Sequence, residues 1–158
     1  MVCANYVVQL KHCWAYGQKS PVNLVDSHNV MQRKILIADD EQYLTAIISL
    51  KLRQAGYQVI VADDGEHAYA LACAELPDLI VTDFQMPLLS GVDMAVQLKE
   101  NFPTARIPLI MLTARGHDMP PGILVRTNIQ CLLSKPFSVR ELLGTISEIL
   151  QPPQALSA

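Results

Sequence analysis

The fold is decided by residues 78–91, which read DLIVTDFQMPLLSG. The apolar first half is typical of a short strand that is covered on both faces of a sheet. Asp83 would end this strand, and Pro87 and Gly91 mark the loop that follows it. In open α/β sheets, ligands bind outside the carboxyl ends of the strands. We therefore predict that Asp83 is presented at a ligand-binding edge.

Three further apolar runs end in polar side chains in the same way. Residues 35–38 are followed by Asp39 and Asp40, residues 110–112 by Thr113, and residues 132–134 by Lys135. Since the carboxyl ends of parallel strands meet at one edge of a sheet, we expect three acids, a hydroxyl and an ammonium in one cleft. Taken singly, each group has an ordinary explanation, such as a turn or a helix cap. Their recurrence at successive strand ends favours one shared site.

Strand-like and helix-like segments alternate along the chain. Strands are predicted near residues 34–39, 57–62, 78–83, 107–112 and 130–134. Amphipathic helices are predicted over residues 41–55, 64–76, 90–102 and 138–150. A further helix, near residues 121–128, is expected to be short, with Pro120-Pro121 in its first turn. This alternation predicts an α/β fold, a doubly wound domain with a five-stranded parallel sheet.

Polar residues and a glycine mark the predicted helix ends. Asp64 is a candidate N-terminal cap. Ser138 and Glu141 have the spacing of a capping box. Gly56 is a candidate C-terminal stop for the first helix.

Composition limits the classes of protein to which the chain can belong. It has 158 residues, of which 51% are hydrophobic, and a formal net charge of −3. That is enough for one globular domain, and it gives no electrostatic footprint for nucleic acid. The sequence has no apolar run of membrane-spanning length and no signal-peptide pattern at its start. We therefore expect a cytoplasmic protein with neither nucleic acid nor a membrane as its partner.

The four cysteines are scattered and form no CxxC pair. Cys73 and Cys131 are predicted to be small core residues on a helix and a strand. Cys3 and Cys13 leave a zinc site open as a weaker alternative, because their spacing matches no usual template.

Three segments are expected along the chain. Residues 1–32 fit no clear period and are predicted to be a partly disordered N-terminal extension, unless translation begins at Met31. Residues 33–150 form the predicted domain, and residues 151–158 form a predicted disordered tail. The tail leaves no room for an output module, so we expect a single-domain protein that acts through a partner.

The clustered acids favour phosphoryl chemistry around a divalent ion. Three carboxylates in one cleft stay ionised only if a cation lies among them, and hard oxygen ligands suit Mg²⁺. A carboxylate such as Asp83 also acts as a nucleophile in enzymes that form an aspartyl-phosphate. Lys135 and Thr113 have the right chemistry to bind the oxygens of a phosphoryl group.

These residues resemble the motifs of the receiver domain of two-component response regulators. The matching motifs are Asp39-Asp40, Asp83-x-x-Met86-Pro87-x-x-x-Gly91, Thr113-Ala114 and Lys135-Pro136-Phe137. The resemblance covers residues 33–150 and implies a flavodoxin-like (βα)5 receiver fold with strand order 2-1-3-4-5. It implies a domain that is not an enzyme in the usual sense and only assists its own phosphorylation and dephosphorylation.

The resemblance also implies a role for each residue of the site. Asp83 accepts a phosphoryl group from a phosphohistidine on a sensor histidine kinase or a histidine phosphotransfer protein, and Thr113 and Lys135 bind its oxygens. Mg²⁺ is held by Asp40, by Asp39 through water, by Asp83 and by the backbone carbonyl of Gln85. The Lys135-Pro136 peptide is expected to be cis. The phosphorylated domain then signals by binding a downstream protein or by phosphorelay.

Two features depart from the family pattern. Receivers usually carry Tyr or Phe three residues before the lysine, as the partner of the threonine in a switch. Here the switch pair is Thr113 and Leu132, which is either a simple variant or a sign of altered output. Gln85 and Arg115 occupy positions that tune the attack of water in the family, or they are solvated side chains at the rim of the cleft.

Besides a phosphorylated receiver, a second and a third function stay open. Leu132 and the prolines before the fourth helix motivate an interaction module with a receiver fold that ignores phosphate. The third possibility is an aspartate-nucleophile phosphatase. Such enzymes normally carry a second acid two residues after the nucleophile, and Gln85 in that place argues against it.

Overall fold

The structure is a computed structural model, and it describes residues 32–114 and 121–151. Nearly all of the predicted extension and tail lies outside the described residues, and so do Cys3, Cys13 and Arg115. The predictions made for those segments and side chains stay predictions.

Five strands and five helices alternate in the described ranges. The strands are β1 (Lys34–Ala38), β2 (Gln58–Ala62), β3 (Leu79–Asp83), β4 (Leu109–Thr113) and β5 (Ile129–Ser134). The helices are α1 (Gln42–Gln54), α2 (Gly65–Glu75), α3 (Gly91–Glu100), α4 (Ile123–Arg126) and α5 (Val139–Leu150). All strand pairs are parallel, and the sheet order is β2-β1-β3-β4-β5. The predicted doubly wound α/β fold and its strand order are therefore confirmed.

Alternate residues of the sheet pack against helices on its two faces. In β1, Ile35 and Ile37 join the apolar cluster that includes α1 and α5, whereas Leu36 and Ala38 join the cluster that includes α2 and α3. The central strands β1, β3 and β4 are buried along nearly their whole length. Burial on both faces explains why these strands read as continuous apolar runs. No helix in the described ranges has the length and apolar character that crossing a membrane requires.

Short polar side chains begin three of the helices. The Asp64 side chain accepts a hydrogen bond from the backbone N–H of His67 at 2.8 Å and caps α2. Ser138 accepts one from the N–H of Glu141 at 3.1 Å and caps α5. Ser90 caps α3 in the same way. These bonds satisfy N–H groups that the helices themselves leave unpaired, and they confirm the predicted caps at Asp64 and Ser138.

The fourth helix is shorter than predicted. It spans the four residues Ile123–Arg126, and Pro121 precedes it instead of lying in its first turn. Gly122 has a φ of 76°, a left-handed conformation in which a right-handed helix cannot continue, so the helix begins after it. Thr127 is extended, and its hydroxyl donates to the carbonyl of Ile123 at 2.9 Å, which closes the single turn.

The two described cysteines lie where the sequence predicts, but they are less buried than expected of core residues. Cys73 is on α2 and Cys131 is on β5, and both are free and only partly buried. Cys131 packs at the margin of the cluster formed with α1 and α5. Burial, together with the nearby charges of Glu141 and Glu148, raises the pKa of the Cys131 thiol.

Candidate functional site

The carboxyl ends of four strands meet at one edge of the sheet. Asp83 and Thr113 are the last residues of β3 and β4, and Asp39 and Lys135 directly follow β1 and β5. The backbone N–H of Lys135 donates to the carbonyl of Thr113 at 2.8 Å, which keeps the β5 end beside the β4 end. The structure therefore brings together the predicted acids, hydroxyl and ammonium.

The ammonium group of Lys135 bridges two buried carboxylates. Its Nζ lies 2.7 Å from Oδ1 of Asp83 and 2.9 Å from Oδ2 of Asp39. The Asp39 side chain is fully buried, and the side chains of Asp83 and Lys135 are only 11% and 20% exposed. Charge-assisted contacts of this length are strong where water is largely excluded. Lys135 therefore ties the end of β5 to the ends of β1 and β3.

Backbone N–H groups hold the remaining oxygens of these carboxylates. Oδ1 of Asp39 accepts a hydrogen bond from the N–H of Glu41 at 2.8 Å. Oδ2 of Asp83 accepts one from the N–H of Gln85, also at 2.8 Å. Both carboxylates are thus fixed in orientation by the loops that follow β1 and β3.

The positively charged form of Lys135 is stabilised by its neighbours. Burial by itself would lower the pKa of Lys135, but hydrogen bonds and opposite charges from Asp83 and Asp39 outweigh burial. The pKa of Lys135 therefore lies above its usual value. The ammonium is present throughout the physiological pH range.

A cavity of about 600 Å³ opens over these groups. Its lining residues are Asp40, Glu41, Asp83, Phe84, Gln85, Thr113, Ala114 and Lys135. Asp40 is exposed to solvent, whereas Thr113 is buried. Asp39 does not line the cavity, but it contacts two residues that do, Lys135 and Glu41. The cavity is large enough for a phosphoryl group with its surrounding water.

The donor chemistry of this cavity fits Mg²⁺. Asp40, Asp83 and Gln85 present oxygen atoms of the hard type that Mg²⁺ prefers, and the ion keeps several of its own waters. Within the described parts of the chain, however, no three His, Cys, Asp or Glu side chains are already arranged around an ion position. The Lys135 ammonium lies between Asp39 and Asp83.

Two residues of the site escaped the sequence analysis. Glu41 places Oε1 at 3.5 Å from Lys135 Nζ and so adds an exposed fourth acid to Asp39, Asp40 and Asp83. Its position directly after Asp39-Asp40 was the available signal. Phe84 lines the cavity and packs against the cluster that includes α2 and α3.

The remaining predictions concern the loop and strand around Lys135. The Lys135-Pro136 peptide is cis, as predicted. Leu132 is half-buried in β5, opposite Met111 of β4, and packs against the cluster that includes α2 and α3. The switch role of Thr113 and Leu132 stays a prediction.

Comparison with known proteins agrees with this geometry. The model of the response regulator receiver domain family matches residues 35–147. The chain is 36% identical over 121 residues to the alkaline phosphatase synthesis transcriptional regulatory protein PhoP of Bacillus subtilis, covering 77% of this chain and 50% of PhoP. It thus spans about half the length of that curated relative.

Two solved structures show the same fold. The chemotaxis response regulator CheY4 of Vibrio cholerae has a TM-score of 0.69 and 28% identity, covering 75% of this chain and 99% of CheY4. The receiver domain of the sensor histidine kinase PA1611 of Pseudomonas aeruginosa has a TM-score of 0.67 and 26% identity, covering 74% and 96%. The latter structure contains a magnesium ion coordinated in its active-site cleft.

This chain therefore belongs to the response regulator receiver domain family. Receiver domains are signalling modules of two-component systems rather than enzymes in the usual sense.

Proposed function

We propose that the domain accepts a phosphoryl group on Asp83 from a phosphohistidine of a sensor histidine kinase or a histidine phosphotransfer protein. The observation that carries this proposal is the arrangement of Asp83 at the end of β3. Its carboxylate faces a polar cavity, is oriented by the N–H of Gln85 and lies 2.7 Å from the Lys135 ammonium. A nucleophilic carboxylate with a fixed cation beside it is suited to phosphoryl transfer.

The transfer exchanges one bond to phosphorus for another. A carboxylate oxygen of Asp83 forms the new P–O bond while the P–N bond to the imidazole breaks, and the electron pair of that bond returns to the imidazole nitrogen. Lys135 and the Thr113 hydroxyl then bind oxygens of the phosphoryl group. When Mg²⁺ is bound, it neutralises charge on those oxygens. Asp40, Asp83, the Gln85 carbonyl and, through water, Asp39 would hold it.

The same site would also release the phosphoryl group. Attack by water on the aspartyl-phosphate regenerates the Asp83 carboxylate and gives inorganic phosphate. Gln85 lines the cavity and is placed to influence this water. We propose self-phosphorylation from small donors and slow self-dephosphorylation as the whole of the chemistry.

The signal would pass to a downstream protein, or the phosphoryl group would pass onward in a phosphorelay. We propose that Thr113 and Leu132 couple phosphorylation to this output. The chain spans about half the length of its relative PhoP, so the single-domain organisation stays a prediction. The cytoplasmic location also stays a prediction.

A small P–N donor tests the acceptor role. Phosphoramidate and Mg²⁺ should add one phosphoryl group to the wild-type protein, seen by intact mass, and none to Asp83→Ala. No gain in the wild type, or an equal gain in Asp83→Ala, would refute the proposal.

A phosphorylation-independent interaction module is the second candidate. It is favoured by Leu132 and by the one-turn α4, where Leu124 and Val125 are 53% and 86% exposed. Capture of the same partners with equal affinity by the phosphorylated and unphosphorylated forms would support this candidate. A difference between the two forms would support the switch.

A further inference from the structure

The loop between β3 and α3 contains a strained turn. Leu88 has a φ of 65°, in the left-handed region that leucine avoids. The N–H of Leu89 donates to the carbonyl of Pro87 at 2.7 Å, so the chain reverses tightly around Leu88. The Leu88 side chain is 76% exposed, and its own packing therefore does little to hold the turn. Strained conformations persist only where the surrounding structure fixes them.

The first residue of α2 makes contacts on both sides of this turn. The N–H of Gly65 donates to the carbonyl of Pro87 at 3.4 Å. A Cβ at Gly65 would lie 1.9 Å from the carbonyl oxygen of Leu89 and 2.8 Å from its Cβ. Only a glycine permits so close an approach of two backbones. Leu88 thus lies between two contacts from a different strand–helix unit.

The helix that carries Gly65 is itself anchored. Asp64 caps its amino end. Farther along α2, the Tyr69 hydroxyl and Cys73 Sγ lie 3.4 Å and 3.3 Å from the side-chain amide of Asn101, the residue that ends α3. The α2 helix is therefore held by its own cap and by contacts with the end of α3.

The loop in turn orients the acceptor. The N–H of Gln85 donates to Oδ2 of Asp83, and Gln85 lines the cavity. A shift at residues 87–89 would be transmitted along this short loop to Gln85 and to the carboxylate.

We propose that Gly65 is a positioning residue for phosphoryl transfer. It holds the strained turn at Leu88 and thereby orients Gln85 and the Asp83 carboxylate, although it touches no reacting atom. This inference rests on the proposed acceptor role of Asp83.

The test compares Gly65→Ala with Gly144→Ala. Gly144 lies on α5, and a Cβ there meets no atom within 4 Å. Gly65→Ala should slow phosphorylation by acetyl phosphate and Mg²⁺ by about tenfold or more, since small displacements of reacting groups have effects of this size. Its Gln85 amide should also exchange hydrogen faster by about tenfold in metal-free protein, measured by NMR. Gly144→Ala should leave both rates within about twofold of wild type. Equal behaviour of the two folded variants would overturn the proposal.

The wild-type protein decides the matter if Gly65→Ala does not fold. If Gly65 holds the turn at Leu88, the amides of Gly65 and Gln85 should be exposed in one opening event. Their protection factors should then agree within about threefold as denaturant is raised. A Gln85 amide that opens about tenfold more readily than Gly65 would refute it.

The proposed function fails separately. If the wild type takes up no phosphoryl group, the acceptor role is wrong, whereas amide exchange in metal-free protein still tests whether Gly65 holds the turn at Leu88. If the wild type is phosphorylated and Gly65→Ala matches Gly144→Ala, only the positioning role of Gly65 is wrong.

Discussion

The Lys135 ammonium lies 2.7 Å from an oxygen of Asp83, the proposed phosphoryl acceptor. Because Lys135 also contacts Asp39 at 2.9 Å, one positive charge lies between two buried acids and offsets part of their mutual repulsion. A single cation, the Lys135 ammonium, thus links the proposed acceptor to Asp39.

Removal of that cation should destabilise the metal-free protein. In Lys135→Met, Asp39 and Asp83 are left buried without a positive partner, and we expect a loss of about 3 kcal/mol in the free energy of unfolding. Urea unfolding measures the loss. Lys51→Met, which removes an exposed lysine of α1, is the control and should change stability by less than about 0.5 kcal/mol. Equal stability of the two variants would contradict a structural role for the bridge.

Mg²⁺ should offset much of this loss. A divalent ion that binds the folded state at about 100 times its Kd adds about 2.7 kcal/mol to stability. The gain in urea midpoint on adding Mg²⁺ should be larger in Lys135→Met than in wild type, because Asp39 and Asp83 then lack the ammonium that offsets their charge. A gain that is equal or smaller in the variant would contradict this account.

The contribution of Lys135 to stability should depend on alkaline pH. The pKa of Lys135 is raised in the folded state, so its contribution is fully present below the pKa of an unfolded lysine, about 10.4. The contribution is lost as pH rises from there through the higher folded-state pKa. The difference in unfolding free energy between wild type and Lys135→Met should therefore be constant from neutral pH to about pH 10 and shrink above it. A difference that already shrinks between neutral pH and about pH 9 would contradict this assignment.

Asp40 should affect metal binding more than folding. It is exposed and lines the cavity, so Asp40→Asn should change the unfolding free energy by less than about 0.5 kcal/mol. The affinity for Mg²⁺ should fall by about tenfold or more, because a charged oxygen ligand is lost. Calorimetric titration measures the affinity, with Glu148→Gln on α5 as the control for a change of net charge. An equal loss of affinity in both variants would mean that Asp40 acts only through net charge.

Gly91 should tolerate no side chain. A Cβ there would lie 2.0 Å from the carbonyl oxygen of Asp83, and that oxygen belongs to the backbone of the acceptor itself. We expect Gly91→Ala to lose about 2 kcal/mol or more of unfolding free energy. Gly144→Ala, in an open position of α5, should gain about 0.5–1 kcal/mol because alanine favours a helix. Urea unfolding of both variants checks the opposite signs.

The sheet and the residues of the site could be predicted from the sequence for a simple reason. In a doubly wound fold the central strands are apolar up to their carboxyl ends, so Asp83, Thr113 and Lys135 stand out by position alone. The cap at Asp64 was equally local. These features depend on residues close together in the chain.

The features that were missed depend on contacts between distant segments or on one backbone angle. The bridge from Lys135 to Asp39 joins opposite ends of the domain sequence, and the close approach of Gly65 to Leu89 joins two strand–helix units. The predicted length of α4 was wrong because the left-handed Gly122 delays the start of the helix and the extended Thr127 ends it. The pattern of prolines did not reveal either effect.

The decisive measurement is to locate the phosphorylated residue after incubation with acetyl phosphate and Mg²⁺. Peptide mapping by mass spectrometry should place a single phosphoryl group, labile to base and to hydroxylamine, on Asp83, at the carboxyl end of β3, and none on Asp39 or Asp40. A phosphoryl group on any other side chain, or its absence from a folded protein that binds Mg²⁺, would contradict the proposed acceptor.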